Sequence, residues 1–190
     1  MIAQGVTQRV AAVQWARKVV SDRRTIYLDT ESTGLGPTAD IVDIALVSTD
    51  GSVLFDSLVR PGGPIPAEAS AIHGIYDHHV SRAPTWSDIA PYLAALLTGA
   101  RVIVYNARYD SDLINNCCTR CGQQPFADRW ECAMLSYAAY VGEPGKWGHG
   151  FRWHKLDAAA AAFGFAPGGH RALADALTCR SVVQAMAESI

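Results

Sequence analysis

Apolar positions recur with two different periods along this chain, and the switch between them outlines a fold. Over residues 8–20 (QRVAAVQWARKVV), Val10, Val13, Trp15, Ala16, Val19 and Val20 fall at helical spacing. This predicts an amphipathic N-terminal helix, within residues 1–24, packed on the outside of a main domain at 25–190. Three β-rich segments follow, Thr25–Asp29, Ile41–Ser48 and Ser52–Val59, and Asp50-Gly51 between the last two is a hairpin signal. They read as an antiparallel meander. Beyond the Pro/Gly-rich stretch Arg60–Pro66 the pattern changes to helices alternating with a strand. A short helix is expected around Ala67–Ile72, a longer one at Trp86–Leu97, and a β run at Arg101–Tyr105. Further helices are expected near Tyr109–Cys121, Cys132–Tyr140, Lys155–Phe163 and Ala172–Ala187. A meander followed by such elements predicts an α/β fold, a mixed sheet flanked by helices.

The length of 190 residues fits one domain, and 49% hydrophobic with 18% charged residues excludes disordered, collagenous and coiled-coil classes. A formal charge of -2 provides no global positive field for holding long nucleic acids, so any such contact is local or metal-mediated. Five cysteines, four of them at Cys117, Cys118, Cys121 and Cys132, argue against a secreted disulfide framework and for a reducing compartment. No apolar run reaches the ~18 residues of a spanning helix, so a cytoplasmic location without membrane partners is expected.

The chemistry concentrates in three places. Ile26-Tyr27-Leu28-Asp29-Thr30-Glu31 is an apolar strand ending in two acids at i and i+2, which alternation places on one face. Two carboxylates held side by side repel unless a cation lies between them, and such pairs suit Mg²⁺ or Mn²⁺. The competing reading is a strand end with two solvated acids. In Val102-Ile103-Val104-Tyr105-Asn106-Ala107-Arg108-Tyr109-Asp110, Asp110 stands just inside a helix start, where an acid also simply complements the helix dipole, and Asp112 fills the role equally well. Finally, Gly168-Gly169-His170-Arg171-Ala172-Leu173-Ala174-Asp175 puts His170 in a loop and Asp175 about a turn into the last helix, on an apolar face where an acid calls for a partner.

Asp-x-Glu, Asn-x-x-x-Asp and His-x-x-x-x-Asp, in this order over about residues 25–187 and with Ala71-Ile72-His73-Gly74-Ile75 between the first two, resemble the DEDDh (DnaQ-like) 3′→5′ exonucleases. Trp130-Glu131-Cys132-Ala133-Met134 together with His170–Asp175 looks most like exonuclease X-type enzymes. The resemblance implies a ribonuclease H-like fold with a mixed five-stranded sheet. It implies that Asp29, Glu31, Asp110 and Asp175 hold two Mg²⁺ or Mn²⁺ ions and that His170 takes a proton from the attacking water. By position it also implies substrate contacts from Thr33, Leu35, His73 and Asn106, with Leu35 wedged against the terminal base. His73 is equally read as a helix C-terminal residue beside Gly74. Many relatives carry His and Phe where this chain has Tyr105 and Tyr109; neither change removes an acid.

The implied activity is release of nucleoside 5′-monophosphates from the 3′ ends of single-stranded or frayed DNA, in repair or proofreading and with or without a polymerase partner. The alternatives are an exoribonuclease using the same site and a catalytically idle polymerase-accessory or binding module. His78, His79, His149, His154 and Cys118-x-x-Cys121 lack the converging spacing of a zinc site. Trp147, Phe151 and Trp153, interleaved with Lys146, Arg152 and Lys155, form either a surface that guides a strand or a folded loop.

Overall fold

The computed structural model describes residues 2–127, 129–146 and 149–189. Helix α1 (Ile2–Ser21) leads into strands β1 (Thr25–Ser32), β2 (Ile41–Ser48) and β3 (Val53–Leu58). Helices α2 (Ala67–His73), α3 (Asp77–Val80) and α4 (Trp86–Leu97) come next, then β4 (Arg101–Val104), α5 (Ala107–Arg120) and β5 (Trp130–Cys132). Helices α6 (Ala133–Val141), α7 (Leu156–Ala162) and α8 (Ala172–Glu188) complete the chain. The five strands form one sheet in the order β3-β2-β1-β4-β5. The pairs β1–β2 and β2–β3 are antiparallel, whereas β1–β4 and β4–β5 are parallel.

Two elements go beyond the periodicity. Strand β5 has only Trp130-Glu131-Cys132, too few residues to show alternation, and takes its geometry from pairing with Val102–Val104. Helix α3 is a single turn at whose start the Tyr76 N–H donates to His79 Nδ1 at 3.1 Å. The Asp50-Gly51 turn closes as expected: the Gly51 N–H donates to the Ser48 carbonyl at 3.0 Å, and Gly51 takes φ 88°, a conformation that glycine adopts without strain.

Alternation in the strands divides the interior into two cores. Ile26, Leu28, Ile44 and Leu46 face α4 and α5, where they bury Ile89, Leu93, Leu97, Leu113 and Ile114. Tyr27, Val47 and Ile103 face the other way, toward α1, α6 and α8, with Val13, Ala16, Val19, Val182, Val183 and Met186 buried among them. Each buried Val, Leu, Ile or Met among them contributes roughly 1.5–3 kcal/mol, so both helical layers are firmly held against the sheet. Helix α1 is further fixed by Trp15 Nε1, which donates to Glu131 Oε2 at 2.7 Å, and by Arg17 Nε, which donates to the Ala187 carbonyl at 2.9 Å. No helix among the described residues is long and apolar enough to cross a membrane.

Candidate active site

Asp29 and Glu31 project from the end of β1 on the face that also carries Tyr27, the face covered by α8. The first turn of α8 carries Asp175, buried on the inner side of the helix. Helix α5 approaches from the opposite layer, and its buried Asp110 reaches the same end of β1, where Oδ1 accepts a 2.6 Å hydrogen bond from Thr30 Oγ1. With His170 and Asn106, these four acids line one cleft of about 550 Å³. Single ligand atoms of Glu31, His170 and Asp175 lie within 4.8 Å of one another. Asp112 stands apart, exposed on α5 and 3.8 Å from Arg108.

Burial and mutual repulsion drive these carboxyls toward the neutral form. Asp29 is raised well above the ordinary range, first by burial and then by the charges of Asp110, Asp175, Glu31 and Asp43. Glu31 is pushed up to about 8 by burial and then by Asp175, Asp43 and Asp110. Asp110 rises to about 7 because burial outweighs the hydrogen bond from Thr30. Asp175 is raised by burial, against the opposing pull of His170. The guanidinium of Arg171, which eases Glu31, is already engaged by Asp43: its Nε donates to Asp43 Oδ2 at 2.9 Å. A set of hard oxygen donors with uncompensated negative charge fits a divalent cation of the Mg²⁺ or Mn²⁺ kind.

Burial of these carboxyls, with the repulsion among them, sets a pH dependence of stability in the cation-free protein. Carboxyls whose pKa is higher folded than unfolded give stability that is complete below the unfolded value, near 4, and is lost as pH rises through the folded value. With Asp110 at about 7 and Glu31 at about 8, the loss accumulates from about pH 4 and levels off once these folded values are passed, near pH 8. Thermal unfolding in chelator is therefore expected to move down by a few degrees from pH 6.5 to 8.5. Glu31→Gln should flatten the slope and divalent cation should reverse it; a wild-type melting point that is level or rises would contradict the assigned repulsion.

His170 is held in an unusual backbone conformation. It has φ 56°, and among the described residues it is the one non-glycine residue with positive φ. Such a residue costs on the order of 1–3 kcal/mol and persists where its surroundings impose it. Two contacts do so. Gly168 lies against Asp175 so closely that a Cβ there would overlap the carboxylate and stand 2.9 Å from the Asp175 Cα. Buried Asp43, paired with Glu31 across β1–β2, accepts hydrogen bonds from Arg171 Nε and, at 3.3 Å, from the Ala172 N–H at the start of α8. Asp43 was not foreseen, although a charge in the apolar run Ile41-Val42-Asp43-Ile44-Ala45 is a visible signal.

Of the four residues expected to touch substrate, Asn106 lines the cleft, while Thr33, Leu35 and His73 lie outside its lining. Thr33 Oγ1 accepts from the Asp40 N–H at 2.9 Å and so braces the loop after β1, on which Leu35 is 85% exposed. His73 is buried: Nδ1 accepts from the Ile75 N–H at 3.0 Å, and Nε2, 3.2 Å from the Ser32 carbonyl, is the donor of that pair. It thereby ties α2 to the end of β1. Tyr109 hydrogen-bonds Ser32 Oγ at 2.5 Å and donates to the Gly34 carbonyl at 3.0 Å, a use of its hydroxyl that phenylalanine could not offer. Trp147, singled out with the aromatic loop, lies outside the described residues.

A mixed five-stranded sheet flanked by helices, with acids and a histidine gathered in one cleft at the end of its central strand, is a ribonuclease H-like fold. The RNase T-type exonuclease family model matches residues 26–183, and the chain belongs to this family, in its histidine-bearing DEDDh branch. It is 44% identical over 183 residues to the uncharacterized exonuclease CP81 of Escherichia phage 186, covering 92% of this chain and 93% of that one. It is 29% identical over 164 residues to the DNA polymerase III subunit epsilon of Treponema pallidum, covering 83% and 74% respectively. Among solved structures, exonuclease X in complex with 5′-overhanging duplex DNA matches with a TM-score of 0.61 and 26% identity, over 85% of this chain and 90% of that chain. The protein is an exonuclease.

Proposed function

We propose that this exonuclease works in the 3′→5′ direction, removing nucleoside 5′-monophosphates from single-stranded or frayed DNA ends with the help of two Mg²⁺ or Mn²⁺ ions. The observation that carries the reading is the convergence of Asp29, Glu31, Asp110 and Asp175 with His170 on one cleft, from three elements of two opposing layers. The four carboxylates would hold the cations, whose charge stabilises the phosphodiester transition state and acidifies water. They also explain how a protein of net charge -2 handles a polyanion, since the positive charge arrives with the ions.

His170 accepts the proton of the attacking water, from an exposed position in the cleft close to Glu31 and Asp175. The clash that bars a side chain at Gly168 and the grip of Asp43 on Arg171 and the Ala172 N–H hold this residue and Asp175 in register. Asn106 meets the substrate end at the cleft, and Leu35, exposed on its braced loop, is free to wedge against the terminal base. An apolar wedge tolerates any base, which suits an enzyme that reads a strand end rather than a sequence. DNA as substrate is supported by the epsilon subunit and by exonuclease X with its duplex DNA.

The test is a time course on 5′-labelled DNA and RNA oligonucleotides with free or blocked 3′ ends. Shortening by single nucleotides, faster on single strands than on blunt duplexes and arrested by the 3′ block, is expected. Internal cutting of the blocked strand would refute the exonucleolytic direction, and faster loss of the RNA would reassign the substrate.

A further inference from the structure

The segment that enters α7 is pinned on several sides. The Tyr105 hydroxyl donates to the carbonyls of His154 and Lys155, at 3.0 and 3.4 Å. The Arg152 N–H donates to the Glu143 carbonyl at 2.9 Å, and its guanidinium donates to Glu143 Oε1 at 2.7 Å. His154 turns inward, edge-on to the Tyr137 ring at a centroid distance of 5.6 Å. On this fixed backbone Trp153 is 65% exposed and Lys155 is exposed beside it, both on the wall of the acid-lined cleft. The aromatic cluster of Tyr137, Tyr140 and Phe163 packs nearby without taking the indole in. At the wall of a charged cleft, an exposed indole on a fixed backbone presents its π face to whatever the cleft binds. Beside a site for phosphodiesters, the matching surface is the face of a base.

We propose that Trp153 and Lys155 form a platform for the substrate strand, with the indole stacked on a nucleobase and the ammonium on a neighbouring phosphate; the assignment rests on the exonuclease reading of the cleft. Tyr105 gives the platform its rigidity, a role for the hydroxyl that stands where many relatives carry histidine. Because every base offers a π face, the platform serves DNA and RNA alike and adds affinity without sequence preference.

Binding of short labelled oligonucleotides, followed by anisotropy in an Asp29→Asn background so that the strand stays intact, tests this directly. Trp153→Ala should weaken binding of DNA and RNA by about tenfold, Trp153→Phe by much less, and Lys155→Ala should mainly reduce the salt dependence. Abasic residues placed one at a time over the last positions provide the decisive comparison. At one position the abasic substitution should cost the parent protein as much as Trp153→Ala does and cost the Trp153→Ala protein nothing more. Losses that multiply at every position, a Trp153→Ala protein that binds like its parent, or absence of oligonucleotide binding would overturn the platform. The exonuclease reading is judged separately, by turnover of the wild-type protein.

Discussion

Asp29→Asn is expected to lower hydrolysis by at least about a thousandfold, the equivalent of about 4 kcal/mol of transition-state stabilisation. Asparagine keeps the shape of the side chain but removes a negative charge and one hard oxygen donor from the centre of the cluster. Asp29 is the acid whose carboxyl feels Asp110, Asp175, Glu31 and Asp43 together, so losing it weakens cation binding more than loss of a peripheral acid would. The same substitution removes repulsion that the cation-free fold has to bear. The variant should therefore melt higher than the wild type in chelator near pH 8 while binding Mg²⁺ or Mn²⁺ more weakly by calorimetry. Hydrolysis within tenfold of wild type, or full wild-type activity in excess chelator, would rule out the cation site at these acids.

His170→Ala should cost about 10²–10⁴-fold in turnover, the usual contribution of a positioned general base, while leaving cation binding by the four acids in place. Glu31 and Asp110, pushed up to about 8 and about 7, change charge near neutral pH when no cation is bound. Turnover of the two proteins is accordingly compared at saturating cation, where the acids are held alike in both. A second variant separates chemistry from backbone strain. His170→Gly removes the imidazole and also tolerates φ 56°, so it should be as inactive as the alanine variant but more stable, by about 1 kcal/mol. Unchanged turnover in both variants would make His170 a bystander; loss of cation binding would make it a ligand.

The local elements were largely written in the chain. Residues Ile41–Ser48 and Trp86–Leu97 occur as a strand and a helix with the bounds their patterns predict, because each carries an apolar run or stripe long enough to override its flanks. Pairing with β2 carried β1 through the acid pair to Ser32, one residue past Glu31 and beyond the Thr25–Asp29 core of the pattern. Strand β5 owes its existence to β4 in the same way.

The sequence by itself determined that Asp29 and Glu31 share one face of a strand and that Asp175 lies on the inner side of the last helix, since both follow from helix and strand periods. Local patterns left Asp110 and Asp112 equivalent, and separating them without the family resemblance required the tertiary structure: the first is buried against Thr30 and the second is exposed beside Arg108, a difference set by where α5 meets the end of β1. So did the anchoring of Arg171 by Asp43, the close approach of Gly168 to Asp175, and the pinning of the Trp153 segment by Tyr105. Except for Gly168 and Asp175, these partners lie far apart in the chain, and all of them meet only after the sheet is paired and both helical layers are packed. Local periodicity records which way a side chain faces; it carries no information about which distant side chain the packed layers will bring against it.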